Sequence, residues 1–252
     1  MEIESMQTEQ PRIVILDQKH SPNPEVIRQM FSKVAKNYDR GNNILSMGIH
    51  HLWRKKLVKL SGAKPGQSVL DCATGTGDLA IEFKQAVGPA GKVVGTDFCI
   101  EMLGPAPAKA AAKKLDIQFE PADVTKLQYP DNSFDICSIS FGIRNVGDPV
   151  KGLSEMARVT KSGGHVMVLE FGQVYVPVFG PLYNFYSEKV LPKLGGLVTG
   201  QGEAYEYLQR SSSAFPCREK FIDLMKQTNQ FSDMTYTSLT GGIAYIYKGT
   251  VR

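Results

Sequence analysis

Ten residues from Val69 to Asp78, VLDCATGTGD, hold the densest chemistry of the chain: an apolar run, Gly75 and Gly77, an acid at Asp71 and another at Asp78. A further acid, Asp97, closes the next apolar run after VVGT. Glycines lack a Cβ, so a tight strand-to-helix turn built on Gly75 and Gly77 lets backbone approach a ligand closely. An acid about 20 residues beyond such a turn is placed to grip a ribose hydroxyl. Turn and acid together predict a nucleoside cofactor.

The stretch GTGDLA from Gly75 to Ala80 also satisfies the loose glycine fingerprint of dinucleotide folds. Asp71 and Asp78 discriminate, because a pyrophosphate between them would meet like charge in a partly dry cleft. S-adenosylmethionine carries no phosphate and presents a sulfonium and an ammonium against one carboxylate. The acids therefore favour S-adenosylmethionine, with a nicotinamide dinucleotide as the alternative.

Further candidates stand at the ends of other apolar runs. Asp123 follows the third and is placed for an adenine amino group, or for a helix cap or loop. Arg144 lies in SFGIRNV, Ser140 to Val146, after the fourth run. With no acid near it in sequence, its guanidinium either stabilises a developing oxyanion, with Asn145 to orient it, or is a surface charge. Residues 171–198 are rich in apolar and aromatic side chains, yet Pro177, Pro181, Pro192, Glu188, Lys189 and Lys193 argue against a membrane span. This segment either roofs a pocket for a large apolar substrate or forms helices that complete the core.

These residues need a scaffold, and the periodicity supplies one. Parallel-type strands are predicted at Ser68–Asp71, Lys92–Thr96, Ile117–Pro121, Phe134–Ser140 and His165–Phe171, with helices at Leu79–Ala86, Ile100–Lys114 and Pro149–Val159. The Lys161–Gly164 turn stops the last helix. Thr235–Leu239 and Ile243–Tyr247 around Thr240-Gly241-Gly242 read as an antiparallel hairpin. Ahead of the first strand, one helix starts at Pro24, the stretch from Asn37 to Ser46 breaks it, and another spans His50 to Gly62. Both are expected to cap the ligand edge of the sheet. Residues 1–23 form a loose arm, and 24–252 one domain: helical cap 24–65, cofactor core 66–171, substrate-side insertion 172–230, hairpin 231–252.

At 252 residues and a net charge of +4 with no basic run, the chain has the composition of an ordinary globule, and nucleic-acid binding is not indicated. Cys72, Cys99, Cys137 and Cys217 lack paired spacing and partnered histidines, so neither disulfides nor metal are expected. Met1 to Gln10 resembles no signal or transit sequence, which makes a reduced cytoplasm the default.

Taken together, NYDRGNNILSMGIHHLWR, VLDCATGTGD, SFGIRNV, the apolar segment and LTGGIAYIYKG resemble the ring C-methyltransferases of menaquinone and ubiquinone biosynthesis. The resemblance covers residues 26–249. It implies an α/β fold of the class I S-adenosylmethionine-dependent methyltransferase type: a seven-stranded, mostly parallel Rossmann-like sheet with an antiparallel C-terminal hairpin. By motif alignment it places cofactor contacts on Thr76, Asp97, Asp123, Val124 and Ser140, although Asp123-Val124 stands where the family usually has Asn-Ala. The implied reaction methylates a carbon of a reduced polyprenyl quinone, without metal, with demethylmenaquinol favoured over the benzoquinol. Arg144 then suits phenolate stabilisation, and His50 or Tyr38 a proton relay, His50 having a purely structural place beside Trp53 as its alternative. Implied partners are the polyprenyl hydroquinone, a transient contact with the inner face of the membrane, and a homo-oligomer or quinone-synthesis assembly.

Overall fold

A computed structural model describes residues 23–174, 176–177, 180, 186 and 202–252, the side chain of Lys36 apart. The expected N-terminal arm and most of the apolar segment at 171–198 lie outside the described residues.

Seven strands form one sheet: β1 (Ser68–Cys72), β2 (Lys92–Asp97), β3 (Gln118–Pro121), β4 (Phe134–Ser140), β5 (Thr160–Phe171), β6 (Phe231–Leu239) and β7 (Ala244–Val251), in the order β3-β2-β1-β4-β5-β7-β6. The first five run parallel, and β7 inserts antiparallel between β5 and β6. Strands covered on both faces must be apolar on both, which is why β1 and β4 read as near-continuous hydrophobic runs. Alternate side chains separate into two cores. Leu70, Cys137, Ile139, Val166 and Val168 pack on one face with Leu153 and Met156 of α7 (Pro149–Val159) and Phe221 and Leu224 of α9 (Glu219–Gln227). Val69, Val93, Ile136, Met167 and Leu169 pack on the other with Leu79 and Phe83 of α4 (Asp78–Val87) and Trp53 and Leu57 of α3 (Ile49–Ser61).

The helix α3, expected to cap the ligand edge, reaches that edge with its first turns and packs on the sheet face with the rest. Leu57 is wholly buried and Trp53 nearly so, hence α3 is a layer helix whose first turns alone reach that edge. The stretch expected to break the first helix is itself helical. After α1 (Pro24–Val34), capped by Asn23 on the Glu25 amide at 2.9 Å, a 3-10 turn leads into α2 (Tyr38–Leu45). Its Asn and Gly residues have low helix propensity, but buried Gly41 and Leu45 and the tertiary bonds of Asp39 override it. The helix predicted over Ile100–Lys114 is divided at its prolines into α5 (Ile100–Leu103) and α6 (Ala106–Ala112). Lys161–Gly164 lies inside β5, where the register against β4 shifts between Phe134 and Ile136, so the turn is accommodated as an irregularity of the strand. From the chain after β5, α8 (Gly202–Ala214) runs along the site described below.

Candidate active site

The strand order reverses between β1 and β4, so a crevice opens at their C-terminal ends, where open α/β sheets bind ligands. Both strands end in left-handed residues that no glycine relieves, Ala73 (φ 48°) and Phe141 (φ 57°). Such strain persists where surrounding packing fixes it and often marks a functional edge.

At the turn after β1, Gly75 and Gly77 adopt φ of 57° and 84°. The room left by Gly77 is taken by protein rather than reserved for a ligand: a Cβ there would come within 3.0–3.1 Å of Ala106 and Phe119. The Gly75 amide donates to Asp97 Oδ2 at 2.8 Å and the Cys99 amide to Asp97 Oδ1 at 2.8 Å, so Asp97 is fixed against the turn at the end of β2. Burial raises its pKa to about 6. Asp71 is 1% exposed and accepts from the hydroxyls of Thr74 (2.6 Å) and Ser138 (2.7 Å). Burial pushes it, too, up to about 6, against those two bonds.

Asp78 does not play the part the sequence suggested. Burial favours its neutral form, but Arg54 and Lys109 outweigh that and hold its pKa below the usual value. Lys109 Nζ lies 2.5 Å from Asp78 Oδ1, and Arg54 Nη1 lies 3.4 Å from Oδ2. The turn is thus not uniformly negative; Asp71 and Asp97 form no ion pair among the described residues, although Arg54 also draws the Asp71 pKa down. Lys109 also binds Asp39 Oδ2 at 2.7 Å, while the Thr76 hydroxyl donates to Asp39 Oδ1 at 2.6 Å. This network joins α2 to the glycine turn. Between them remains a space of about 20 Å³ bordered by Tyr38, Arg54, Asp71, Gly75, Thr76 and Ser140, one water's worth of volume. A nucleoside entering there needs the side chains around it to give way.

Of the two residues matched beyond β3, Asp123 is exposed and caps its own loop, accepting from the Thr125 amide and hydroxyl at 2.8 Å each. Val124 is a core residue by its side chain. The Ala122 amide donates to the Asp97 carbonyl at 3.1 Å, which keeps this loop beside Asp97.

Next to the turn lies a cavity of about 1050 Å³. Its walls are mainly apolar, with Trp53, Phe141 and Phe171 in mutual ring contact, and it shares Tyr38 and Arg54 with the smaller space. All three proton-handling candidates, Tyr38, His50 and Arg144, line it. Arg144 is not the solitary cation that its sequence neighbours suggested. Its Nη1 donates to Glu170 Oε1 at 2.8 Å and to the Phe141 carbonyl at 2.6 Å, and its Nε lies 3.3 Å from Ser211 Oγ. Glu170 is 1% exposed, and burial raises its pKa while Arg144 opposes the rise. The sequence carried a signal for this partner: Glu170 interrupts an apolar strand at its C-terminal end, where a buried acid requires a cation. Asn145 serves α8 instead of Arg144, since it accepts from the Tyr207 hydroxyl at 3.0 Å.

His50 shares a short hydrogen bond with Ser46. Burial, reinforced by Arg54 and His51, lowers its pKa to about 4, so at neutral pH it is an uncharged acceptor. The Tyr38 phenol is raised by burial above its ordinary 10.0 and stays protonated. Among the described residues, His50, His51 and Asp78 bring ligand-type atoms within 4.8 Å of one another, a grouping that spacing along the chain did not reveal. Lys109 and Arg54 compete with any ion for Asp78.

The description "ubiE/COQ5 methyltransferase family" matches residues 17–251. The chain belongs to this family. A ubiquinone/menaquinone biosynthesis C-methyltransferase of Bdellovibrio bacteriovorus is 76% identical over 92% of the chain and 99% of its own length. A demethylmenaquinone methyltransferase of Deinococcus radiodurans is 41% identical over 90% and 93%. Among solved structures, a SAM-dependent methyltransferase from Thermotoga maritima superposes with a TM-score of 0.63 at 19% identity, covering 90% of the chain and 100% of that one. The fold is that of class I methyltransferases, and a member of the ubiE/COQ5 family is an S-adenosylmethionine-dependent C-methyltransferase. The residues at the turn suit that donor: two buried polar atoms there, Arg54 Nη1 and Ser140 Oγ, lack hydrogen-bond partners among the described residues, and Asp71 borders the same space. Sequence reasoning assigned Arg54 and Lys109 no role, because a cation on a helix far upstream or downstream of the glycine turn carries no local mark of where it will land.

Proposed function

We propose that this enzyme methylates a ring carbon of a reduced polyprenyl quinone, with demethylmenaquinol as acceptor. The observation that carries the reading is the large cavity walled by Trp53, Phe141 and Phe171, which abuts the glycine turn and brings Arg144, His50 and Tyr38 to one volume. A flat bicyclic ring matches such aromatic walls, and an apolar tail matches the remaining lining. When bound, the donor supplies a methyl on a sulfonium. The chain's own residues must hold the ring carbon within about 3–3.5 Å of that methyl and favour the ionised hydroquinone, since a neutral ring carbon is a poor nucleophile.

Arg144 suits the phenolate. No described residue accepts from its Nη2, and Glu170 and the Phe141 carbonyl lock the rest of the guanidinium. Neutral His50 can take the hydroxyl proton, and protonated Tyr38 can donate a hydrogen bond to the same oxygen. Methyl transfer to the ring carbon would leave that carbon bearing both methyl and hydrogen; its proton would pass to solvent in the cavity, restoring the aromatic ring as a phenolate, and the hydroxyl would regain its proton from His50. Thr76, Asp97 and Ser140 stand at the turn as proposed donor contacts, Asp97 for the ribose, while Asp123 and Val124 are assigned to the adenine by motif position alone.

Contact with a membrane surface is supported by the turn between α2 and α3. Ile44, Met47 and Leu52 are 46%, 88% and 64% exposed, Met47 and Leu52 also line the cavity, and Arg40, Lys55 and Lys56 are exposed beside them. Among the described residues no helix is long and apolar enough to cross a membrane.

Comparing turnover on reduced demethylmenaquinone and on the corresponding demethylated benzoquinol, each with a short prenyl tail, tests the reading. Preference for the naphthoquinol is expected. A strong preference for the benzoquinol would transfer the proposal to ubiquinone synthesis, and methylation of neither would remove it.

A further inference from the structure

Arg54 stands out among the charged groups of the molecule. It is 7% exposed, it borders both the small space at the glycine turn and the large cavity, and its Nη1 is buried without a hydrogen-bond partner. Asp78, the carboxylate nearest in space, stands 3.4 Å away outside hydrogen-bond geometry and is already held at 2.5 Å by Lys109. The guanidinium carbon lies 6.0 Å from the Phe141 ring centroid, a contact that orients the head group without satisfying its N–H. A buried guanidinium with a vacant donor is unstable unless something accepts from it. The same space holds a second such atom, Ser140 Oγ.

We infer that Arg54 is the subsite for the α-carboxylate of the methyl donor, an inference that rests on S-adenosylmethionine being that donor. A planar guanidinium matches a carboxylate in geometry as well as charge. The carboxylate is the donor's one anionic group, and the residues around Arg54 in the small space, Asp71, Gly75, Thr76 and Asp78, are those of the turn. The acceptor's oxyanion already has a cation in Arg144, which faces the large cavity and not the small space. Because Arg54 follows Trp53 on α3, a carboxylate held there fixes the helix that also supplies an aromatic wall to the acceptor. The donor's amino-acid end thereby positions part of the acceptor's site.

The test is a binding cycle by titration calorimetry on the full chain, with S-adenosylhomocysteine and its decarboxylated analogue as probes, against the native protein, Arg54→Gln and Arg54→Lys. Native protein should bind the decarboxylated analogue roughly tenfold or more weakly, as loss of a charge-assisted pair requires. Arg54→Gln should weaken S-adenosylhomocysteine by a similar factor and leave the analogue within about twofold, with Arg54→Lys recovering part of the loss. Equal weakening of both ligands, or of neither, in Arg54→Gln overturns the subsite. The native comparison of the two ligands keeps the test decisive should the variant fold poorly, since equal native affinities overturn it as well. A native chain that binds neither ligand removes the donor reading and this inference with it.

Discussion

Arg144 and Glu170 form the most deeply buried ion pair among the described residues, and this makes the catalytic claim testable in a way that the sequence alone did not allow. Arg144→Met leaves a buried carboxylate without its partner, a change that costs about 3–5 kcal/mol. Adding Glu170→Gln should recover much of the melting temperature while turnover stays at least ~100-fold down, because the phenolate still lacks its cation. Recovery of turnover together with stability would show Arg144 to be purely structural. Asp97→Asn should raise the dissociation constant of S-adenosylhomocysteine about tenfold, and an unchanged constant would count against the ribose contact. Asp71 links the site to pH. Its pKa rises from 3.8 unfolded to about 6 folded, so the folded chain binds the proton more tightly. Its contribution to stability is therefore present below the unfolded value and is lost as pH rises through about 6. Asp71→Asn should flatten the decline in melting temperature across that window, and an undiminished slope would assign the decline elsewhere.

At the scale of elements, β1, β2, β4 and the β6–β7 hairpin were legible because a sheet covered on both faces demands apolar runs and its turns demand Gly, Thr or Asn at fixed places. The helix α2 was not, since Asn37 to Ser46 reads as a breaker until Asp39 is seen bound to Thr76 and Lys109. Nor did the local pattern of α3 reveal that Leu57 belongs to the same core as Phe83 of α4. Leu57→Ala should cost about 2–5 kcal/mol by denaturant unfolding, the price of a cavity between two layers, whereas a helix merely resting on the sheet edge would lose far less. The Asp39 network makes a further prediction. Because the bonds of Asp39 hold α2 against the glycine turn beside the small space, Asp39→Ala should tighten binding of S-adenosylhomocysteine severalfold and speed amide exchange over residues 38–45. Weaker binding with unaltered exchange would mean that Asp39 supports the site rather than closing it.

Across the whole molecule, the joining of the glycine turn to Asp97 was readable, because the two lie close in sequence and their spacing has a mechanical cause. The large cavity was not. It is assembled from α1, α2, α3, the ends of β4 and β5, and α8, elements separated by most of the chain, and only the family resemblance connected them in advance. The fold also alters the charge argument: Asp78 is bracketed by Arg54 and Lys109, which leaves Asp71 and Asp97 as the turn's acids without an ion pair among the described residues. The most direct measurement of the central claim is mass spectrometry and carbon NMR of the product formed from methyl-labelled S-adenosylmethionine and reduced demethylmenaquinone. The labelled methyl should sit on a ring carbon, one per acceptor, with release of S-adenosylhomocysteine. A label on a hydroquinone oxygen, or an acceptor left unmodified while S-adenosylmethionine is bound, would contradict it.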